Sequence, residues 1–118
     1  MNKCSVYAWL DDLQMSAQLA KLAYLNSYEF NFVEENLKID ENTIPTIIIV
    51  DLMKLSVNDL KKLSSFPKTE LLTIIGYLSQ ITAPQVKYYQ DYGCQMVIGR
   101  NELLKNLDSI LKKIFHAN

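Results

Sequence analysis

The chain of 118 residues contains few of the residue types that usually carry catalytic or cofactor chemistry. It has one histidine, His116, and two cysteines, Cys4 and Cys94, and their spacing does not match any common set of zinc ligands. With only three glycines, it has no glycine-rich loop that could hold a nucleotide phosphate. The chain also has no Ser/His/Asp arrangement, so the familiar hydrolase and nucleotide-binding motifs are excluded.

An excess of charge of one sign is also lacking. The formal net charge is -1, which leaves no basic surface for a phosphate backbone, so nucleic-acid binding is not expected. No apolar run is long enough to span a bilayer, and the N-terminus does not resemble a secretion signal. We therefore expect one cytoplasmic domain over residues 1–118, with no membrane association and with both cysteines as free thiols.

Strand-like and helix-like patterns alternate along the chain, separated by short turns. The predicted strands are residues 5–10, 28–33, 46–50, 71–77 and 96–99. The predicted helices are residues 13–25, a short one within 34–42, 56–63, 84–92 and a last amphipathic helix capped by Asn101. This alternation is typical of crossover βαβ units, whose connections are right-handed. We expect an α/β, flavodoxin-like, doubly wound sheet of five parallel strands in the order 2-1-3-4-5, with a shortened second helix.

Three acidic residues follow two of these strands. Asp11 and Asp12 come after the first strand, and Asp51 follows the buried β-branched run of the third. Because these strands are expected to be parallel neighbours, the three carboxylates would meet at the carboxyl edge of the sheet. Crowded carboxylates repel one another unless a cation lies among them, and oxygen ligands of this kind suit Mg²⁺. Neutralising Asp12 or Asp51 is therefore expected to stabilise the metal-free protein.

These residues resemble those of the receiver domains of two-component response regulators, related to the chemotaxis regulator. The resemblance rests on Trp9-Leu-Asp-Asp-Leu13, on Ile48-Ile-Val-Asp-Leu-Met53 and on Asp91-Tyr-Gly-Cys94 with the closing helix. It implies that Asp51 would accept a phosphoryl group from a histidine kinase. It also implies a weak Mg²⁺ site made by Asp11, Asp12, Asp51 and the carbonyl of Met53.

The sequence departs from the family at several positions. The hydroxyl that the family has after strand four is replaced by Leu78, and Ser79 lies one place late. Arg100 stands where the family has a lysine, and Val97 stands where it has an aromatic residue in strand five. Arginine keeps the positive charge but not the shape of lysine, so Arg100 is either a substitute catalytic cation or a solvated residue pairing loosely with Asp51. The pattern indicates an atypical receiver or pseudo-receiver.

The expected function is a receiver-like signalling module that is not an enzyme in the usual sense. It would present a protein-binding surface, with phosphorylation at Asp51 left open. The resemblance and three tyrosines in 84–92 place that surface on this helix, strand 96–99 and the last helix. The partner would be a histidine kinase or an output protein, and a homodimer is also left open. The alternatives are a fully degenerate, phosphorylation-independent docking or dimerisation module and, more remotely, a flavin-binding flavodoxin-like protein, whose phosphate Asp11 and Asp12 would repel.

Overall fold

The computed structural model describes residues 3–34 and 44–116. The strands in these ranges are β1 (Ser5–Trp9), β2 (Glu29–Phe32), β3 (Thr46–Asp51), β4 (Leu72–Leu78) and β5 (Met96–Gly99). The α-helices are α1 (Leu13–Asn26), α2 (Val57–Ser65), α3 (Ala83–Asp91) and α4 (Arg100–Phe115), and Leu52–Lys54 forms one 3₁₀ turn after β3. The predicted elements are confirmed to within about two residues, apart from the short helix in 34–42, which lies almost entirely outside the described residues.

The strands form one parallel sheet in the order β2-β1-β3-β4-β5, which confirms the predicted flavodoxin-like topology. The register pairs Trp9 with Val50 in the two central strands β1 and β3. It pairs Asp51 with Tyr77 in β3 and β4. The ends of these strands are therefore level, and the residues that follow them come together at the carboxyl edge of the sheet.

Helices cover the two faces of the sheet and bury two separate apolar clusters. One cluster joins α1 and α4 to Val6, Ala8, Ile47, Ile49, Ile75 and Tyr77. The other joins α2 and its flanking residues to Ile48, Val50, Leu72, Ile74 and Leu78, with residues of α3 at its margin. All six residues of β3 are buried, as expected of a central parallel strand with helices on both sides.

Side-chain caps explain where three helices begin. Asp12 caps α1 by accepting a hydrogen bond from the N–H of Met15. Reciprocal capping boxes begin the next two helices: Ser56 with Asp59 at α2, and Thr82 with Gln85 at α3.

The prediction that Asn101 caps the last helix is wrong. Helix α4 begins at Arg100, and its N-cap is Gly99, which has an extended backbone and supplies no side-chain cap. Arg100 therefore lies in the first turn of the helix, where the helix dipole disfavours a cation. This placement depends on a partner for the guanidinium, described below.

Both cysteines are buried and free, as predicted. Burial raises the pKa of the Cys94 thiol to about 12, so this residue is poorly suited to nucleophilic chemistry at neutral pH. None of the helices within the described ranges is long and apolar enough to cross a membrane.

Candidate functional site at the carboxyl edge of the sheet

An ion pair between Asp12 and Arg100 lies at the centre of the site. The Nε atom of Arg100 donates to Oδ2 of Asp12 at 2.7 Å, and Nη2 donates to Oδ1 at 3.0 Å. The side chains are 13% and 27% exposed, for Asp12 and Arg100 respectively, so water screens this pair less than a surface pair. The guanidinium is thus bound in the two-point geometry that is the strongest arrangement for arginine and a carboxylate.

Two further donors complete the coordination of Asp12. The phenol of Tyr77 donates to Oδ2 at 3.0 Å, and the N–H of Met15 donates to Oδ1 at 3.2 Å. The pKa of Asp12 is held well below its ordinary value, mainly by the hydrogen bonds from Arg100, with contributions from Met15 and Tyr77. Each carboxylate oxygen accepts two hydrogen bonds, so Asp12 is ionised and fully engaged within the protein.

Tyr77 reaches Asp12 from the centre of the sheet. Its side chain is fully buried in β4, opposite Asp51 of β3. Burial, followed by the charge of Asp51, raises the pKa of Tyr77 far above its ordinary value. The phenol therefore stays protonated and acts as a hydrogen-bond donor.

Asp11 has a protein cation as its partner as well. Nζ of Lys54, in the turn after β3, lies 2.7 Å from Oδ1 of Asp11. Both side chains are largely exposed, so the pair contributes little to stability. Together, these two ion pairs correct the expectation of three unpaired carboxylates, because Asp11 and Asp12 each have a cationic partner within the protein.

Unlike Asp11 and Asp12, Asp51 forms no ion pair with another of the described residues. Its residue is 4% exposed, and its Oδ1 accepts a hydrogen bond from the N–H of Met53 at 3.0 Å. Burial raises the pKa of Asp51, while the Met53 hydrogen bond and the charge of Lys54 act in the opposite direction. An open cavity of about 230 Å³, lined in part by Trp9, Asp11, Asp51 and Lys54, lies beside the carboxylate.

The arrangement of donors does not fit a Mg²⁺ ion as it stands. Both oxygens of Asp12 are engaged by Arg100, Tyr77 and Met15, and Lys54 occupies Asp11. Within residues 3–34 and 44–116, no group of three or more His, Cys, Asp or Glu side chains is placed to hold a metal. A Mg²⁺ ion would first have to displace Arg100, so the predicted metal site remains a prediction.

The other predicted site residues lie at the same edge of the sheet but do not join the cluster of ion pairs. Ser79 is exposed, and its backbone N–H donates to Sδ of Met53 at 3.3 Å. Leu78 is 4% exposed and packs in the cluster beneath α2 and α3, with Val97 at its margin. The sequence-based expectation that Arg100 pairs loosely with Asp51 is not what the structure shows, because its guanidinium binds Asp12 instead.

Tyr77 and Lys54 contact the acidic residues of the site, and the sequence analysis did not predict either contact. Tyr77 belongs to an otherwise aliphatic and glycine-containing strand end, Ile-Ile-Gly-Tyr-Leu, where a phenol needs a buried hydrogen-bond partner. Lys54 follows Asp51 by three residues, and this spacing is the signal from which a cation near the acidic edge could have been predicted.

The five parallel strands in the order β2-β1-β3-β4-β5, with helices on both faces, define a domain of the flavodoxin-like α/β fold class. The chain superimposes on the regulatory domain of the master biofilm regulator CsgD with a TM-score of 0.63, at 16% identity, covering 98% of this chain and 89% of that one. A proposed pilus assembly protein, cpaE, from Burkholderia thailandensis gives a TM-score of 0.62 at 15% identity, covering 97% and 98%. A proposed pilus assembly-related protein from Burkholderia pseudomallei gives 0.65 at 16% identity, covering 98% and 90%.

Identities this low show a shared fold and nothing more specific. No protein-family model matches the sequence. No curated protein matches it significantly either.

Proposed function

We propose that this protein is a receiver-like signalling module that acts by binding a protein partner without needing phosphorylation of Asp51. The observation that carries the proposal is the two-point ion pair between Arg100 and Asp12. In the receiver family, the residue at the position of Asp12 is the main metal-binding acid, and the lysine at the position of Arg100 contacts the phosphoryl group. Here the two side chains bind each other, so neither is free for that task.

The surroundings of Asp51 support the same proposal. The Asp51 residue is 4% exposed, and its carboxylate already accepts a backbone hydrogen bond. At the position of the family hydroxyl, Leu78 has no group that could contact a phosphoryl oxygen, and its side chain is buried. As a binding module of this kind, the domain would catalyse no reaction, and we propose a cytoplasmic location for it.

The proposed partner surface consists of α3, β5 and α4. Helix α3 contributes no fully buried residue, and most of its side chains are exposed to solvent. Tyr88 is 48% exposed, and its ring lies 5.0 Å from that of Tyr89 and 5.2 Å from that of Tyr92. Exposed aromatic groups that are already held by neighbouring rings lose little entropy on binding, which favours a protein interface over a solvated surface.

The test of phosphorylation is incubation with a small phosphodonor and Mg²⁺, followed by intact mass measurement. We expect no phosphoryl adduct on the native protein. A variant with Arg100→Lys and Leu78→Thr, which restores the family residues, is the positive comparison, and the same variant with Asp51→Asn identifies the modified residue. A stoichiometric adduct on the native protein that Asp51→Asn abolishes would overturn the proposal.

The partner surface is tested separately by placing a photocrosslinking residue at Tyr88 in the native host. We expect a discrete cross-linked partner protein, unchanged in yield when Asp51→Asn is added. The control is the same photocrosslinker at Lys61, an exposed position on α2 away from the proposed surface. Equal products from the two positions would argue against this surface.

A further inference from the structure

Acidic side chains outnumber basic ones in the lining of the cavity beside Asp51. Among the described residues, Asp11, Asp51 and Asp59 line this cavity together with Lys54, which already pairs with Asp11. Three carboxylates and one ammonium leave an excess of two negative charges in the described lining. Charges in a partly enclosed cavity are screened less than charges on an open surface, so this cavity attracts a cation.

Asp51 is the most buried of these three acids, and one of its carboxylate oxygens has no partner within the described ranges. Oδ1 accepts the hydrogen bond from Met53, whereas Oδ2 accepts none from another described residue. In the same ranges, the side-chain polar atoms that are both fully enclosed and without a partner are the hydroxyls of Tyr28 and Thr69. Oδ2 of Asp51 is not one of them, so it is open to the cavity that Asp51 lines. A hydrogen-bond donor placed there would satisfy a carboxylate oxygen that is otherwise left to water.

The other described side chains that line the cavity are apolar. They are Trp9, Leu10, Val33 and Leu55. The ring of Trp9 is held by an edge contact with Phe66, and Nζ of Lys62 lies 5.7 Å from its centroid. The indole is therefore already ordered and already next to an ammonium, the kind of group that its π face attracts. An inorganic ion would gain nothing from these walls, whereas an organic cation would bury its apolar part against them.

We propose that this cavity binds a small alkylamine, with its ammonium group at Oδ2 of Asp51 and its alkyl chain against Trp9. An ammonium has three N–H donors, which suit the carboxylate oxygens of the lining. Unlike Mg²⁺, it does not need a close octahedral set of oxygen ligands. Asp12 is not part of the described lining, so an amine can bind while Asp12 remains paired with Arg100.

The size of the cavity limits the size of the amine. Its volume of about 230 Å³ is below the roughly 300–1,000 Å³ of pockets that hold drug-sized ligands, so a short, unbranched amine is the ligand that fits. The walls are rigid and the ligand is small, so little conformational entropy is lost on binding. This inference does not rest on the partner surface of α3, β5 and α4, and the photocrosslinking test of that surface is independent of it.

The first experiment is an NMR titration of the native protein with n-butylammonium chloride up to about 20 mM, at a constant ionic strength of about 150 mM that screens non-specific attraction. We expect saturable amide shifts at Trp9, Asp51 and Lys54, with a dissociation constant on the order of 1 mM, which is within the limit for a ligand of about five non-hydrogen atoms. 1-Butanol has the same chain without the charge and should bind about tenfold more weakly or less. No saturable shift with butylammonium, or equal binding of 1-butanol, would overturn the proposal.

A lysine side chain of a partner protein carries the same ammonium group, and a second ligand separates the two sources. Nα-acetyl-lysine amide presents that group on a peptide backbone. We expect it to bind no better than butylammonium, because the proposed site holds only a short amine. Binding about tenfold tighter than that of butylammonium would assign the cavity to a protein lysine and would overturn the proposal.

Two substitutions in the lining should change the affinity for butylammonium in opposite directions. Asp51→Asn should weaken binding about tenfold or more, because it removes the charge at the ammonium position and keeps the shape of the side chain. Lys54→Gln should tighten binding about two- to fivefold, because it removes the cation of the lining and frees Asp11. Lys54 is largely exposed, so this variant should fold even if the other does not.

The matched controls are Asp91→Asn and Lys61→Gln, which make the same charge changes at exposed positions outside the described lining. Neither should alter the affinity for butylammonium. An affinity that Asp51→Asn leaves unchanged in a folded variant, or that Lys61→Gln raises as much as Lys54→Gln does, would show that the amine does not bind beside Asp51.

Discussion

Arg100 and Asp12 join the last helix of the domain to its first through a two-point ion pair, although they lie 88 residues apart in the sequence. Asp12 is the N-cap of α1, and Arg100 is in the first turn of α4. The helix dipole favours the first position for an acid and disfavours the second for a cation. The pair therefore offsets an unfavourable placement of Arg100 and ties the starts of α1 and α4 together.

We expect Arg100→Ala to lower the free energy of unfolding by about 1.5–3 kcal/mol, the range for hydrogen bonds to charged groups. Substitution leaves Asp12 without its cation in a site where both side chains are mostly shielded from water. Urea denaturation at about pH 7 measures the effect, and a cycle with Asp12→Ala gives the coupling between the two residues. Lys105→Ala, an equally charged but exposed residue of the same helix, should change stability little.

The difference in unfolding free energy between the native and Arg100→Ala proteins should depend on pH, in a direction set by the pKa of Asp12. Arg100 lowers the pKa of Asp12, so the pair stabilises the folded protein fully above the ordinary aspartate pKa of about 3.9. This difference in unfolding free energy should become smaller as pH falls below about 4, because Asp12 becomes protonated. A gap that is already small at neutral pH would mean that the ion pair is not maintained in solution.

Asp51→Asn should raise the melting temperature at neutral pH by a few degrees. Burial raises the pKa of Asp51, so the ionised carboxylate costs stability above that pKa, and the cost is absent below the ordinary value of about 3.9. An asparagine at this position can still accept the hydrogen bond from Met53. Melting curves should show a higher melting temperature for Asp51→Asn than for the native protein at about pH 7, and no difference at about pH 3.

The control for Asp51→Asn is Asp91→Asn, which removes an exposed acid paired with Lys87 and should change the melting temperature little. A loss of stability in Asp51→Asn at neutral pH would show that the carboxylate itself is needed to hold the turn after β3.

Mg²⁺ should bind the native protein no more tightly than about millimolar, because a largely hydrated ion would have to replace Arg100 at Asp12. Arg100→Ala should bind it more tightly, since Asp12 is then free. Calorimetry measures both affinities, and Trp9, which lines the cavity beside Asp51, offers a fluorescence signal. Asp51→Asn in the Arg100→Ala background tests the site, and an affinity that none of these changes alters would place any bound Mg²⁺ elsewhere.

Gly76→Ala should lower the free energy of unfolding by about 1–3 kcal/mol, as is usual for overpacking in a core. A Cβ atom on Gly76 would lie 2.5 Å from Cδ1 of Leu52, whose side chain is itself buried and must shift. Gly99→Ala is the comparison without steric overlap, because its Cβ would meet Ile81 at an ordinary 3.8 Å, and its expected cost is the weaker preference of alanine for the N-cap of α4. Chemical denaturation measures the stability of both variants, and a Gly76→Ala protein as stable as the native one would show that Leu52 repacks freely.

Beryllofluoride, a phosphoryl mimic, should not switch the partner surface even if it binds Asp51. The buried Leu78 has no hydroxyl to be drawn toward the mimic, and Val97 has no ring to move into vacated space. A ligand shifts a conformational equilibrium only through different affinities for the two states. With Mg²⁺ and beryllofluoride, amide shifts should stay near the turn after β3.

Large amide shifts that reach Tyr88 and α4 would contradict this expectation and would indicate that Ser79 or Arg100 has taken over the coupling. Asp51→Asn provides the baseline, since the mimic has no carboxylate to bind in that variant.

The local sequence pattern was sufficient to predict the architecture. The β-branched run before Asp51, the caps at Ser56 and the apolar stripe of the last helix each specify an element through nearby residues. The crossover rule then limits the order of parallel strands, and this order brings Asp11, Asp12 and Asp51 to one edge. These features depend on periodicity and short-range hydrogen bonds, both of which can be predicted from the order of residues in the sequence.

The charge pairing at that edge was decided by the tertiary structure. The contacts of Asp12 with Tyr77 and Arg100 span 65 and 88 residues, and that of Asp11 with Lys54 spans 43. Which cation meets which acid depends on where α4 begins and on how side chains are directed from neighbouring strands, and residue spacing specifies neither. The sequence therefore determined where the acids meet, and the packing of α1, β4, α4 and the turn after β3 determined that protein groups neutralise two of them.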